Sequence, residues 1–246
     1  MFYSIVNARK IKSKSMCLKK YLVKYTDKFG SLKSEVISHG SNLRLELRNT
    51  IFEGREFESL ETKETKGNFE FNSYNELTNF ELEIEIPIII GHLKNNFNGE
   101  LILKLEKSIE NKKDYGVELV IKEATFKTVF GENLFARNMY NFEYLMIDMQ
   151  KTLPENYEIK TCISCKYSNY HPCGNSEFGD LVCFKNVKNK FEKIKDKSGL
   201  MNLWDEAREN NQIFNVNEIY ECADHEFIGE NDWTYKDWDY VFKKLK

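Results

Sequence analysis

Cys162, Cys165, Cys183 and Cys222 are the side chains whose type and spacing best suit a defined chemistry, and we expect them to bind one zinc ion. Cys162-Ile163-Ser164-Cys165 places two thiols around a tight turn, where both can converge on one metal while backbone N–H groups point at the sulfurs. A tetrahedral site needs two more ligands. The candidates downstream are Cys173, Cys183, Cys222, His171 and His225. Cys183 precedes an amphipathic stretch whose helix dipole would favour a thiolate, and Cys222 ends a stretch that reads as a strand. Using both would crosslink distant segments. Cys173, beside His171 and Pro172, instead offers a compact set of Cys162, Cys165, Cys173 and Cys183.

Two plainer readings compete. A CxxC pair can be a redox dithiol, but that chemistry usually sits at a helix start within a βαβ pattern, which is not seen around Cys162. Isolated cysteines also serve as small core residues. A closed four-thiolate site leaves no position for water, so zinc here would be structural and would not imply catalysis.

Other groups are less convergent. Asp224, His225 and Glu226 are the kind of side chains a metal-assisted hydrolase uses, but no further residues gather on them, and a solvated loop is the simpler reading. His39 lies in a polar turn and His92 at a strand end. The chain has no Gly-x-Ser-x-Gly elbow and no Gly-x-x-x-x-Gly-Lys phosphate loop. The lysines from Lys185 to Lys197 surround an apolar stripe and are interrupted by Glu192 and Asp196, as on an ordinary solvated face. Trp233, Tyr235, Trp238 and Tyr240 form an aromatic tail that could anchor a partner, although Trp238 is expected in the protein's own core.

The elements that must position these residues divide near residue 155. Tyr21, Val23 and Tyr25, then a turn at Gly30 and the run Leu32–Ile37, predict a hairpin. Leu43, Leu45 and Leu47 alternate with Arg44, Glu46 and Arg48. Phe80, Leu82, Ile84 and Ile86 oppose Glu81, Glu83 and Glu85, a face expected to be solvated or paired with lysine. Leu101, Leu103 and Leu105, after a turn expected at Asn98-Gly99, and Val117, Leu119 and Ile121 add strands. Short alternating strands predict an antiparallel β-sandwich or open barrel. A helix from about Asn138 to Leu153, stopped by Pro154, would close it. Beyond lie a short strand at Asn156–Thr161, a helical face of Phe184, Val187, Phe191 and Ile194, and a helix capped by Ser198 that carries Leu200, Leu203 and Trp204. A strand over Val216–Cys222 and a final helix carrying Tyr235, Trp238, Phe242 and Leu245, with a capping box at Thr234 and Asp237, complete the pattern.

The fold class expected is therefore α+β: residues 1–155 as an antiparallel β-sandwich closed by a helix, packed against a small zinc-bearing α/β module over residues 156–246. The 246-residue chain is 41% hydrophobic and 30% charged, within the range of folded proteins. Its net charge of −3 falls wholly after Asn156, with 13 Lys+Arg against 16 Asp+Glu; the earlier part balances at 23 against 23. Neither part is basic, which disfavours a nucleic-acid or membrane-surface partner. Met1–Lys10 lacks the apolar run of a secretory signal, and the run from Ile86 to Ile90 is too short to span a bilayer. A cytoplasmic location is expected, where structural disulfides are disfavoured and the six cysteines need another role.

Cys-x-x-Cys-x-Tyr-Ser-x-Tyr-x-Pro-x-Gly from Cys162, Phe178-Gly179-x-Leu181-x-Cys183-Phe184 and Tyr220-x-Cys222 resemble an uncharacterised bacterial family. The resemblance covers about Leu153 to Cys222 and, more weakly, the preceding β-region. It implies Cys162, Cys165, Cys183 and Cys222 as the matching cysteines and omits Cys173. The tail departs from it, since Trp233–Trp238 stands where a glycine-rich ending would be. No activity follows from the resemblance. It associates the chain with small cytoplasmic companions of bacterial toxin–immunity and defence systems. The function expected is thus a non-enzymatic binding protein with a structural zinc site, an immunity- or antitoxin-like partner of another protein; the alternative is a metal-dependent enzyme or nucleic-acid-processing factor.

Overall fold

The computed structural model describes residues 18–64, 67–92, 95–109, 119–139, 141–173, 181–229 and 231–239. Met1–Lys10, Val117, Phe178, Gly179, Tyr240, Phe242 and Leu245 lie outside the described residues.

The protein is mostly β. Strands β1 (Lys19–Asp27), β2 (Gly30–His39), β3 (Asn42–Leu47) and β4 (Thr50–Gly54) are followed by the short β5 (Glu70–Phe71) and β6 (Leu77–Thr78). The long β7 (Phe80–His92) and β8 (Asn95–Lys107) come next, then β9 (Leu119–Thr128) and β10 (Gly131–Met139). Helix α1 (Phe142–Lys151) leads to β11 (Glu158–Ile159), β12 (Ser168–Tyr170) and β13 (Leu181–Cys183). Helices α2 (Lys188–Phe191) and α3 (Lys197–Glu209) precede β14 (Phe214–Val216).

Eight strands hydrogen-bond in the order β10-β9-β8-β7-β1-β2-β3-β4, and β11 joins β7 to make a nine-stranded antiparallel sheet. The antiparallel strands read from the period-two pattern are present. They pair into one continuous sheet instead of the two stacked sheets of a sandwich, because β1 bridges both halves by pairing with β2 on one side and β7 on the other. The pleat separates the faces: Tyr21, Val23 and Tyr25 are buried while Lys24 is exposed, and Leu43, Leu45 and Leu47 alternate with exposed Arg44 and Glu46. On the outer face Glu83 stands opposite both Lys24 and Lys104, whereas Glu81 is opposite Thr26 and Glu106, and Glu85 opposite Leu22 and Ile102. Lys104 also bonds Glu123 at 2.6 Å.

Two residues with turn-like chemistry lie inside long strands. Pro87 pairs with Glu100 of β8, but on its other side it falls in a gap of β7 between Glu85, where pairing with Leu22 of β1 ends, and Ile90, where pairing with Ile159 of β11 begins. Its missing N–H therefore interrupts no ladder there. Asn98-Gly99, expected as a turn, continues β8 opposite Ile89 and Ile88. A Cβ on Gly99 would lie 3.0 Å from the carbonyl oxygen of Lys127, so glycine serves close backbone approach.

Helix α1 starts at Asn141, whose side chain accepts from the Tyr144 N–H, and its Gln150 holds β11 through Nε2 to Tyr157 O at 2.7 Å and Ile159 N–H to Oε1 at 2.8 Å. Sheet residues, Met146 and Met149 share one buried cluster with Ile159, Ile163, Leu181, Val216, Tyr220 and Trp238, so the core runs across residue 155. A second cluster of Val182, Phe184, Phe191, Leu200 and Leu203 supports the helices of the later segment.

That later segment is less regular than expected. The Lys185–Lys197 stretch forms a 3-10 turn, Lys185–Val187, and the single turn of α2. Helix α3 is capped by Asp196, whose Oδ1 accepts from Gly199 N at 2.7 Å, and not by Ser198. The strand expected over Val216–Cys222 is confined to Phe214–Val216. Near the C-terminus the described residues form a 3-10 turn at Asp237–Asp239, and Thr234 accepts from Lys236 N instead of building a box with Asp237. Trp238 is fully buried, as expected. Among the described residues no helix is long and apolar enough to cross a membrane.

Candidate metal centre

The Cys162-x-x-Cys165 segment is a closed turn. Cys162–Ser164 is one turn of 3-10 helix, and Cys165 N–H returns to Cys162 O at 3.2 Å. Ser168 Oγ donates to the carbonyls of both Cys162 and Cys165. The turn is gripped from two sides. Cys162 N–H donates to Tyr220 O at 2.9 Å and Ile163 N–H to Glu218 O at 3.1 Å, while Lys166 N–H donates to Glu226 O at 2.8 Å. The segment Glu218–Phe227 thus wraps the turn and carries Cys222 with it. Cys183 arrives from β13, where it pairs with Ser168 of β12 and Phe214 of β14.

This arrangement brings the four expected cysteines into one neighbourhood. Cys162 lies within the electrostatic reach of Cys183, Cys165 and Cys222, and Cys183 within that of Cys165 and Cys222. Burial, then the neighbouring thiols, raises Cys162 well above the ordinary thiol range. Burial pushes Cys183 up to about 12, against a backbone N–H of Lys185 that favours its thiolate. All four are free cysteines; Cys162, Cys165 and Cys183 are buried and Cys222 is partly so. Cys173 is exposed, its N–H donating to Nδ1 of the neighbouring His171.

As they stand, no three His, Cys, Asp or Glu side chains among the described residues form a group that could hold a metal ion. Neutral thiols pack as small apolar groups and have no mutual attraction that would draw four sulfurs into a tetrahedron. A metal bound there would supply that attraction, and its binding would release the thiol protons.

Two lysines that sequence reasoning missed stand beside the cysteines. Lys236, only 3% exposed, donates from Nζ to Cys165 O at 2.7 Å and to Ser168 Oγ at 3.1 Å. Burial lowers it to about 8, opposed by Cys165, Glu143, Cys162 and Cys183. Lys185 Nζ lies 4.0 Å from Cys222 Sγ and 3.3 Å from Asp224 Oδ2. One zinc ion with four thiolates carries a net charge of −2, which two lysines would balance. Four thiols are the donor type zinc takes, and the lysines would be its charge partners. The tail places Lys236: Thr234 Oγ1 and Tyr235 N–H bond Asn169 Oδ1, and Asp237 N–H donates to Glu143 Oε1 at 2.8 Å. Burial raises Glu143 to about 7.

Asp224, His225 and Glu226 diverge. His225 is held inside, its Nε2 2.9 Å from Ser164 Oγ, and burial lowers it to about 3. Asp224 faces Lys185, and Glu226 pairs with Lys188 and with Lys166.

A family of unknown function (DUF6304) matches residues 19–168. The chain belongs to it. The DUF6304 match spans the sheet, α1 and the Cys162-x-x-Cys165 turn, so its weight lies on the β-region, where the motif resemblance was weaker. It ends before Cys183 and Cys222. Neither a curated protein nor a solved structure matches the chain.

Proposed function

We propose that this DUF6304 protein is a non-enzymatic, cytoplasmic binding protein whose C-terminal module is held by one structural zinc ion on Cys162, Cys165, Cys183 and Cys222. Its role would be that of an immunity- or antitoxin-like partner of another protein. The observation that carries the zinc reading is the placement of four cysteines from three segments in one neighbourhood, with two lysines beside them. A metal there would tie the turn to β13 and to the Glu218–Phe227 wrap, a crosslink suited to a segment with little regular structure.

The binding reading draws on the surface beside this module. Tyr144 is 50% exposed and Tyr235 37% exposed, and both flank Asp237: Tyr144 Oη donates to its carboxylate at 3.2 Å. Exposed tyrosines on an anchored segment are typical of protein-contact residues. The metal-enzyme alternative draws less support, since Asp224 and Glu226 are engaged with lysines and His225 is turned inward. Nucleic-acid binding is disfavoured too, because Lys188 and Lys190 of the lysine-rich region pair with Glu226 and Glu206.

Co-purification with the product of the neighbouring gene tests the partnership. We expect a complex that Tyr144→Ala with Tyr235→Ala weakens. Failure to bind, together with hydrolysis of a substrate by the purified protein, would overturn the binding reading.

A further inference from the structure

We infer that a cleft between the end of β4 and helix α3 binds a small organic oxyanion, a phosphate- or carboxylate-bearing molecule. The cleft has a volume of about 450 Å³, within the range of small-molecule sites. Its charged lining is wholly basic. Arg55, just past β4, and Arg208, in the last turn of α3, both line it, and no Asp or Glu does. Two of the chain's six arginines thus meet at one cavity although they are remote in sequence.

Neither guanidinium forms a salt bridge with a described residue, whereas Arg48 elsewhere in the sheet is fully engaged by Asp27 at 2.7 Å. The Arg208 guanidinium is stacked over the Trp204 ring at 4.8 Å, which orients its planar fork. His171 meets Trp204 edge-on at 4.4 Å. Because His171 Nδ1 accepts the Cys173 N–H, its neutral tautomer carries the proton on Nε2, leaving a donor. Asn215 supplies a side-chain amide to the lining, and its cross-strand partner Val182 an apolar wall. Guanidinium forks pair with the two oxygens of a carboxylate or phosphate, and the indole and valine suit the ligand's apolar body.

The site is separate from the zinc reading and from the Tyr144–Tyr235 surface. Isothermal titration of the full chain with pyrophosphate, adenosine 5′-monophosphate and citrate tests it, with inorganic phosphate as the small-ion reference. We expect at least one organic probe or pyrophosphate to bind saturably, and Arg55→Gln and Arg208→Gln each to weaken that binding at least tenfold. Arg44→Gln, outside the cleft, should leave it unchanged. Preference for the phosphate probes or for citrate identifies the oxyanion. Because both arginines are exposed, the variants should retain the parental melting temperature, and metal content should not change. Absence of binding by every probe, or equal binding by the parent and both cleft variants, would overturn the inference.

Discussion

Lys236 Nζ lies 2.7 Å from the carbonyl oxygen of Cys165, and both residues are buried. A buried ammonium gains most when negative charge stands beside it, and zinc-bound thiolates would supply that charge. Lys236→Met should therefore weaken zinc binding about 10–100-fold, the usual cost of removing an outer partner of a metal ligand. In chelator-treated protein the same substitution should be neutral or stabilising. Competition against a chromophoric chelator and urea melts of both forms check the two halves. Equal loss of stability with and without metal would indicate a purely structural lysine.

His225 predicts the direction of the acid response. Burial lowers its pKa from 6.5 to about 3. The unfolded chain then binds a proton near pH 6.5 that the fold refuses until about pH 3. Its contribution is fully present above pH 6.5 and is lost progressively as pH falls through that window. Glu143 acts oppositely, because its raised pKa of about 7 makes stability fall as pH rises from 4.5 to 7. His225→Gln should flatten the loss of stability between pH 6.5 and 3 in denaturant titrations, and Glu143→Gln should flatten the loss between pH 4.5 and 7.

Arg48 and Asn49 form the two-residue turn between β3 and β4, both with positive φ, at 46° and 63°. Arg48 also grips Asp27 with two nitrogens, each at 2.7 Å, and its guanidinium lies 5.1 Å from the Phe69 ring centroid. Lysine keeps the charge but loses the fork. Arg48→Lys should cost about 1–3 kcal/mol of unfolding free energy, whereas Asn49→Gly should be neutral or slightly stabilising. Chemical denaturation of both variants measures the difference.

Gly99 tests a misreading. As a surface turn residue it would tolerate alanine or valine. As a strand residue against the Lys127 carbonyl, it should lose about 1–3 kcal/mol on Gly99→Val. A melting temperature unchanged by Gly99→Val would return Asn98-Gly99 to a turn.

Legibility followed the range of the interactions. Alternation at Tyr21–Tyr25, Leu43–Leu47 and Phe80–Ile86 revealed strands, because one-sided burial is written locally at period two. The helical spacing of Leu145, Met146 and Met149 revealed α1 for the same reason. Pairing was not local. That β1 would join β2 to β7 in one sheet depends on contacts across more than fifty residues, and Asn98-Gly99 carried turn chemistry for a different purpose. Around the cysteine turn, side-chain and backbone bonds between irregular stretches do the holding, so periodicity over Val216–Cys222 had little regular structure to report. Lys236 was missed because a lone lysine in an aromatic tail reads as solvated. The signal available was stoichiometric: four thiolates on one zinc would leave two negative charges to balance.

The central claim is tested by metal analysis of the purified chain with single Cys→Ser variants. One zinc per chain is predicted, lost in Cys222→Ser and retained in Cys173→Ser. Metal-free parent protein after purification with added zinc, or full zinc in Cys222→Ser with loss in Cys173→Ser, would contradict it.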